Sequence, residues 1–160
     1  MQTTEQLIRR LSDMGLTLAV AESCTGGAIA AELVSVSGVS RVLRGGVVAY
    51  DPEIKTKLLG VPCEMISHYG VVSHEVAVAM AEGARAELGA DLAISTTGIA
   101  GPDGGTSTTP VGRVFIGISS AQGSGALCET FSGDRAEIRA AATSRAISYL
   151  LQYITDHHVL

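Results

Sequence analysis

Helix-like and strand-like stretches alternate along this 160-residue chain, and two strand-like stretches late in it have hairpin character. That order predicts an α/β layered domain with a mixed sheet. The length is that of one ordinary domain, enough to bury most of its apolar surface without disulfides or a structural metal. No internal repeat, low-complexity tract or linker interrupts it, so a single unit over residues 1–160 is expected.

Each element has its own signal. Residues 4–14 place Leu7, Ile8 and Leu11 on one helical face, with Gly15 where a helix ends. The apolar run 16–21 reads as a strand, and 28–36 as a helix. Turn residues 37–40 precede a second strand at 46–50. Asp51 followed by Pro52 is an N-cap with proline at the first helical position, and Gly60 stops that helix. Residues 62–68 read as a short helix, and Ser73 as the N-cap of a longer one to Leu88 with Val76, Ala79, Met80, Gly83 and Leu88 inward. A strand over 91–97 leads into the glycine-rich stretch 98–105, long enough to serve a site rather than a simple connection. Strands at 114–119 and 127–131 are joined through Gly123-Ser124-Gly125. Asp134 and Glu137 then form a capping-box start to a last helix carrying Ile138, Ala142, Ile147, Leu151 and Ile154.

Composition narrows the function. Tryptophan is absent and 46% of residues are hydrophobic, so the core is built mainly from Ala, Val, Ile and Leu. A net charge of −5 without a basic stripe argues against sequence-independent nucleic-acid binding. Cys24, Cys63 and Cys128 are odd in number and lack metal-ligand spacing, which fits a reducing cytoplasm. Glu5, Arg9 and Arg10 stand where a signal peptide would be apolar, and no run is long enough to span a membrane. A soluble cytoplasmic protein is expected, without membrane or nucleic-acid partners. Its alanine-rich helices are compatible with a homo-oligomer, a state the sequence does not fix.

The chemistry centres on Ala21-Glu22-Ser23-Cys24-Thr25-Gly26-Gly27, where a strand breaks and a helix begins. Backbone N–H groups at such a start are free to face an anion or an oxyanion, and Ser23 stands at the lip as a possible nucleophile. Ser23 or Thr25 as an N-cap is the plainer alternative, and both stay open at this point. The four histidines offer poor bases: His157 and His158 are terminal, and His68 and His74 flank a loop. Lysine is the other partner, once its pKa falls far enough for a neutral amine. Lys55 suits this better than Lys57, because it lies in the first turn of a helix, where the dipole disfavours an ammonium. Asp51 and Glu53 oppose that shift, so burial would have to supply the rest; a solvated surface lysine is the alternative. Tyr50 and Thr97, at strand ends, would converge with Ser23 where layered α/β sheets gather ligands, and Tyr50 could equally be an amphipathic edge residue. Arg135 is likewise a cation in a helix first turn, seeking a phosphate or a nearby acid such as Asp134. Asp103 has no companion ligands at metal-binding spacing. Cys24 is a rival nucleophile without a base.

These stretches resemble the C-terminal domain of CinA, the competence/damage-inducible protein, and its stand-alone relatives that act as nicotinamide mononucleotide amidohydrolases. The resemblance covers essentially the whole chain. It rests on the Ser23 motif, on Tyr50 and Lys55 within Val47-Val48-Ala49-Tyr50-Asp51-Pro52-Glu53-Ile54-Lys55, on Gly98-Ile99-Ala100-Gly101-Pro102-Asp103-Gly104-Gly105, and on Phe131-Ser132-Gly133-Asp134-Arg135. It implies a three-layer α/β/α sandwich with a mixed, mostly parallel sheet. It also implies deamidation of nicotinamide mononucleotide to nicotinic acid mononucleotide and ammonia, without metal or other cofactor. Ser23 would be the nucleophile and Lys55 its base, assisted by Tyr50. Thr25, Gly26, Gly27, Ser40, Thr97, Gly98, Gly101, Gly105 and Arg135 would bind the substrate, the N–H groups around residues 25–27 holding the oxyanion. Thr109 stands where relatives usually carry lysine, which could weaken or change ligand preference. A non-catalytic nucleotide-sensing or partner-binding domain is the alternative, and a Cys24 hydrolase is a third.

Overall fold

Large side chains on one face of the central strands, and small ones on the other, decide how the layers stack. In the computed structural model, which describes residues 2–157, the chain order is α1 (Gln2–Met14), β1 (Leu18–Glu22), α2 (Ala28–Val34), a 3-10 turn (Val39–Arg41), β2 (Leu43–Val48), α3 (Pro52–Leu59), α4 (Cys63–Tyr69), α5 (His74–Glu87), β3 (Leu92–Gly98), β4 (Arg113–Ser120), β5 (Gly123–Thr130) and α6 (Arg135–Asp156). Leu18 and Val20 of β1, Leu92 and Ile94 of β3, and Val114, Ile116 and Ile118 of β4 pack under α1, α2 and α6. Ala19, Ala21 and Ala93 face the opposite way, beneath Val76, Met80, Ala81 and Ala84 of α5. Strand alternation thus gives each face its own core. The small face lets α5 approach closely, since a Cβ on Gly117 would lie 2.3 Å from the Ala77 carbonyl oxygen; α3 packs as tightly on α5, where a Cβ on Gly83 would lie 1.9 Å from the Leu59 carbonyl oxygen.

The sheet order is β2-β1-β3-β4-β5, so the α/β sandwich expected from sequence is the one found. β1 pairs parallel with β2 and β3, while β4 runs antiparallel to both β3 and β5. Pairings are therefore evenly split, less parallel than expected, because the last two strands form a hairpin. That hairpin turns at Ala121 and Gln122, not at Gly123-Ser124-Gly125. Ser120 pairs with Gly123, and the Ser120 hydroxyl accepts from the Gln122 N–H at 3.1 Å, closing a tighter turn than the glycines suggest. β2 begins and ends earlier than its apolar residues indicate, which leaves Tyr50 beyond the strand, in the turn before α3.

The helix caps follow the sequence closely. The Asp51 side chain accepts from the Glu53 N–H, Ser73 caps α5, and Asp134 and Glu137 form a reciprocal box. His158 lies outside the described residues. No described helix is long and apolar enough to cross a membrane.

Candidate active site at the carboxyl edge of the sheet

The parallel strands β1, β2 and β3 all end on one edge, and the connections from β1 and β2 leave toward opposite faces of the sheet. A crevice forms at such a point. Ser23 directly follows β1, fixed by its N–H donating to the Thr96 carbonyl at 3.0 Å. Beside it the Ala49 N–H donates to the Glu22 carbonyl at 2.8 Å, tying the end of β2 to the same spot.

Lys55 projects from the first turn of α3 into this junction and is completely buried. Its Nζ lies 2.9 Å from Ser23 Oγ, 3.3 Å from the Tyr50 carbonyl oxygen, and within hydrogen-bond reach of the Ala49 carbonyl. Burial lowers its pKa from 10.5 to about 8, against opposing pulls from Cys24 and Asp51. Burial, rather than the helix dipole that the sequence brings to mind, is the main cause. The Nζ donates to both carbonyls and to the Ser23 hydroxyl. Once the amine is neutral, two N–H bonds suffice for the carbonyls and the lone pair is free to accept from Ser23 Oγ. Lys57 is exposed; of the two lysines it is Lys55 that stands beside Ser23.

A cleft of about 300 Å³ opens over the pair, lined by Ser23, Cys24, Tyr50, Pro52, Val71, Val72, Thr97, Gly98, Ile99, Ala100, Gly101, Asp103, Gly104 and Arg135. That is small-molecule size. Five segments distant in sequence meet here. Arg135 reaches across them: its Nη1 donates to the Gly101 carbonyl at 2.8 Å and its Nη2 to the Tyr50 hydroxyl at 2.9 Å. Asp134 is occupied as the cap of α6, and among the described residues the Arg135 guanidinium pairs with no carboxylate. The Thr97 hydroxyl donates to the Val71 carbonyl at 2.9 Å, joining β3 to the segment before α5.

Other expected residues stand elsewhere. Ser40 is exposed in the 3-10 turn, and Thr25, Gly26, Gly27, Gly105 and Thr109 are not on the cleft wall. No described histidine lines the cleft; His68 and His74 are exposed on α4 and α5. The Cys24 thiol does face it, but burial raises its pKa to about 11, leaving it protonated at neutral pH.

The start of α2 departs from expectation most. Instead of an open cradle, it holds the carboxylate of Glu22, which is buried. Its Oε2 accepts from Thr25 Oγ1 at 2.6 Å, the Gly27 N–H at 3.0 Å and the Ile29 N–H at 3.1 Å, and Oε1 accepts from the Ala30 N–H at 2.9 Å. Thr25 Oγ1 also meets Thr96 Oγ1 at 2.8 Å. The Gly26 N–H donates to the Ser23 carbonyl at 3.0 Å. Gly26 and Gly27 therefore shape the turn and do not offer their N–H groups to a ligand. The N–H groups left without a backbone or carboxylate acceptor are those of Cys24 and Thr25, which lie beside the Cys24 sulfur, itself on the cleft wall, and restrain its pKa. Glu22 was legible in principle: an acid at a strand end, joined by a short turn to a helix start and without a cation nearby in sequence, is placed to cap that helix.

A buried serine and lysine in contact at the switch point of a layered α/β sheet define the site of this α/β domain. Comparison with known proteins places the chain within a family. The family model for the CinA C-terminal domain matches residues 1–154. A CinA-like protein of Dictyoglomus thermophilum is 48% identical over 147 residues, 91% of this chain and 36% of the relative. A putative competence-damage inducible protein of Desulforudis audaxviator is 56% identical over 108 residues, 68% of this chain and 26% of the relative. The crystal structure of a CinA superfamily protein from Klebsiella pneumoniae superposes with a TM-score of 0.93 at 32% identity, covering 97% of both chains. That of a competence/damage inducible protein from Agrobacterium tumefaciens gives 0.85 at 38% identity over 94% of both. The chain belongs to the CinA C-terminal domain family, and it spans about a third of the length of the curated relatives it matches.

Proposed function

We propose that this domain is an amidohydrolase that converts nicotinamide mononucleotide to nicotinic acid mononucleotide and ammonia through an acyl-enzyme on Ser23. The observation that carries the reading is the buried Lys55 amine, 2.9 Å from Ser23 Oγ with two carbonyls oriented on its N–H bonds. Membership of the CinA family and the motifs shared with its amidohydrolase branch support the substrate.

The chemistry runs in two halves. Neutral Lys55 takes the Ser23 proton as Oγ bonds to the carboxamide carbon. The negative charge that develops on the carbonyl oxygen is held by the Cys24 and Thr25 N–H groups. As the C–N bond breaks, the Lys55 ammonium gives its proton to the leaving ammonia. A water then attacks the ester, Lys55 taking its proton and returning one to Ser23 Oγ, which releases the carboxylic acid. Val71, Val72 and Ile99 offer apolar walls for a pyridine ring. Arg135, at the mouth and without an acid, would meet the phosphate, with Gly98, Gly101 and Gly104 permitting its close approach. Tyr50 holds Arg135 in place.

Ammonia release from nicotinamide mononucleotide, measured for wild-type protein beside Ser23→Ala with EDTA present, tests the proposal. Release by the wild type alone is expected. If both folded proteins release none, the substrate assignment fails; if both release it equally, Ser23 is not the nucleophile.

A further inference from the structure

Four residues beyond Arg135, on the same face of α6, Arg139 grips the back of the nucleophile turn. Its Nε donates to the Cys24 carbonyl at 3.1 Å and its Nη2 to the Thr25 carbonyl at 2.8 Å. We infer that Arg139 is the positioning residue of the oxyanion site, holding the Cys24–Thr25 turn so that its backbone N–H groups face the cleft. The inference rests on the acyl-transfer reading above.

Peptide geometry gives the reason. In a trans peptide the C=O and the following N–H point in opposite directions. Fixing the Cys24 carbonyl toward α6 therefore fixes the Thr25 N–H away from α6, on the side of the Cys24 sulfur, whose residue lines the cleft. Fixing the Thr25 carbonyl turns the Gly26 N–H inward, where it donates to the Ser23 carbonyl at 3.0 Å. The remaining N–H groups of the turn are committed: Ser23 to Thr96, Gly27 to Glu22, and Ala28 to the Thr25 carbonyl. Those of Cys24 and Thr25 meet only the Cys24 sulfur, a weak acceptor that an oxyanion would outcompete. A guanidinium on the carbonyl end of a peptide also polarises it, strengthening the N–H donor on the far side. Space at the turn is matched to this grip, since a Cβ at Gly26 (φ +62°) would lie 3.4 Å from Arg139 Nη2. Arg139 is not among the residues that line the cleft, and its side-chain hydrogen bonds go to the turn, so it acts through the turn and not on substrate.

The test separates this role from substrate recognition by using a fluorophosphonate, which phosphonylates an activated serine and expels fluoride as the P–O bond forms. Labelling of Ser23 would be followed by mass across pH for wild type, Arg139→Met, Arg139→Lys and Arg145→Met. Arg145 lies farther along α6, paired with Glu129 away from the cleft, and controls for general loosening of the helix. Arg139→Met is expected to slow labelling by about 10- to 100-fold, less than the roughly 100- to 1,000-fold that removing an oxyanion donor outright costs. Arg139→Lys, keeping one donor, falls between it and wild type. Arg145→Met stays within about 2-fold, and the pH midpoint of labelling is unchanged in every variant because the Ser23–Lys55 pair is untouched. Arg139→Met labelled as fast as wild type overturns the inference, as does a rate loss shared by Arg145→Met or accompanied by a moved midpoint. Should labelling slow as expected while wild type leaves nicotinamide mononucleotide intact, the substrate assignment fails and the Arg139 role stands. Should nicotinamide mononucleotide be hydrolysed equally well by Arg139→Met, the reverse holds.

Discussion

Among the described residues, Lys55 is the largest fully buried side chain, and a protein does not bury an amine for stability. Its folded pKa of about 8 lies below the ordinary 10.5, so between those values the unfolded chain binds a proton that the folded one does not. Stability therefore rises with pH through that window, and the full penalty, about 3 kcal/mol, holds below pH 8. Lys55→Met removes it. Leaving the Ala49 and Tyr50 carbonyls without their donor takes back about 1 kcal/mol each, for a net gain of ~1 kcal/mol at pH 7. Amide hydrolysis by the same variant should fall at least ~1,000-fold, since the base is gone. Thermal melting beside an activity assay checks both. A Lys55→Met protein that melts well below wild type would show that the lysine is a structural member, and one that keeps its turnover would remove it from the chemistry.

At the scale of elements, the legible parts of the chain were those that local chemistry decides. Asp51 with Pro52, Ser73, and Asp134 with Glu137 mark helix starts because each cap is made within three residues, and the structure keeps every one. β2 and the β4–β5 turn were misplaced by a few residues, because strand limits depend on pairing partners that apolar runs do not reveal. The start of α2 was misread for a deeper reason. An open helix end and one occupied by a carboxylate look alike until the fold shows that Glu22 points back into its own chain. Arg139 was missed because its partners, the carbonyls of Cys24 and Thr25, lie more than a hundred residues away. Glu22→Ala would leave three N–H groups of the α2 start without their acceptor and the Thr25 hydroxyl with Thr96 alone. It should destabilise the domain by about 3 kcal/mol, with Glu22→Gln, which keeps one carbonyl oxygen, losing less. Urea unfolding of the two variants measures this. Equal midpoints for Glu22→Ala and wild type would mean that the cap contributes nothing.

The molecule as a whole brings together what its sequence scatters. Serine, lysine, tyrosine, threonine and two arginines arrive from the ends of β1, β2 and β3, from the first turn of α3 and from the first two turns of α6, over a sheet whose large-faced side carries α1, α2 and α6. The motifs named the serine, the lysine and Arg135 individually; only the strand order brings them to one edge. With the base buried and no described histidine on the cleft, one titration should govern turnover near neutrality. The pH dependence of kcat/KM for nicotinamide mononucleotide, taken from pH 5.5 to 10, therefore tests the serine–lysine account most directly. It should rise through a single step centred near pH 8, where Lys55 loses its proton, and level off above it. A profile that is flat through that range, or that falls across it, would contradict a neutral Lys55 as the base.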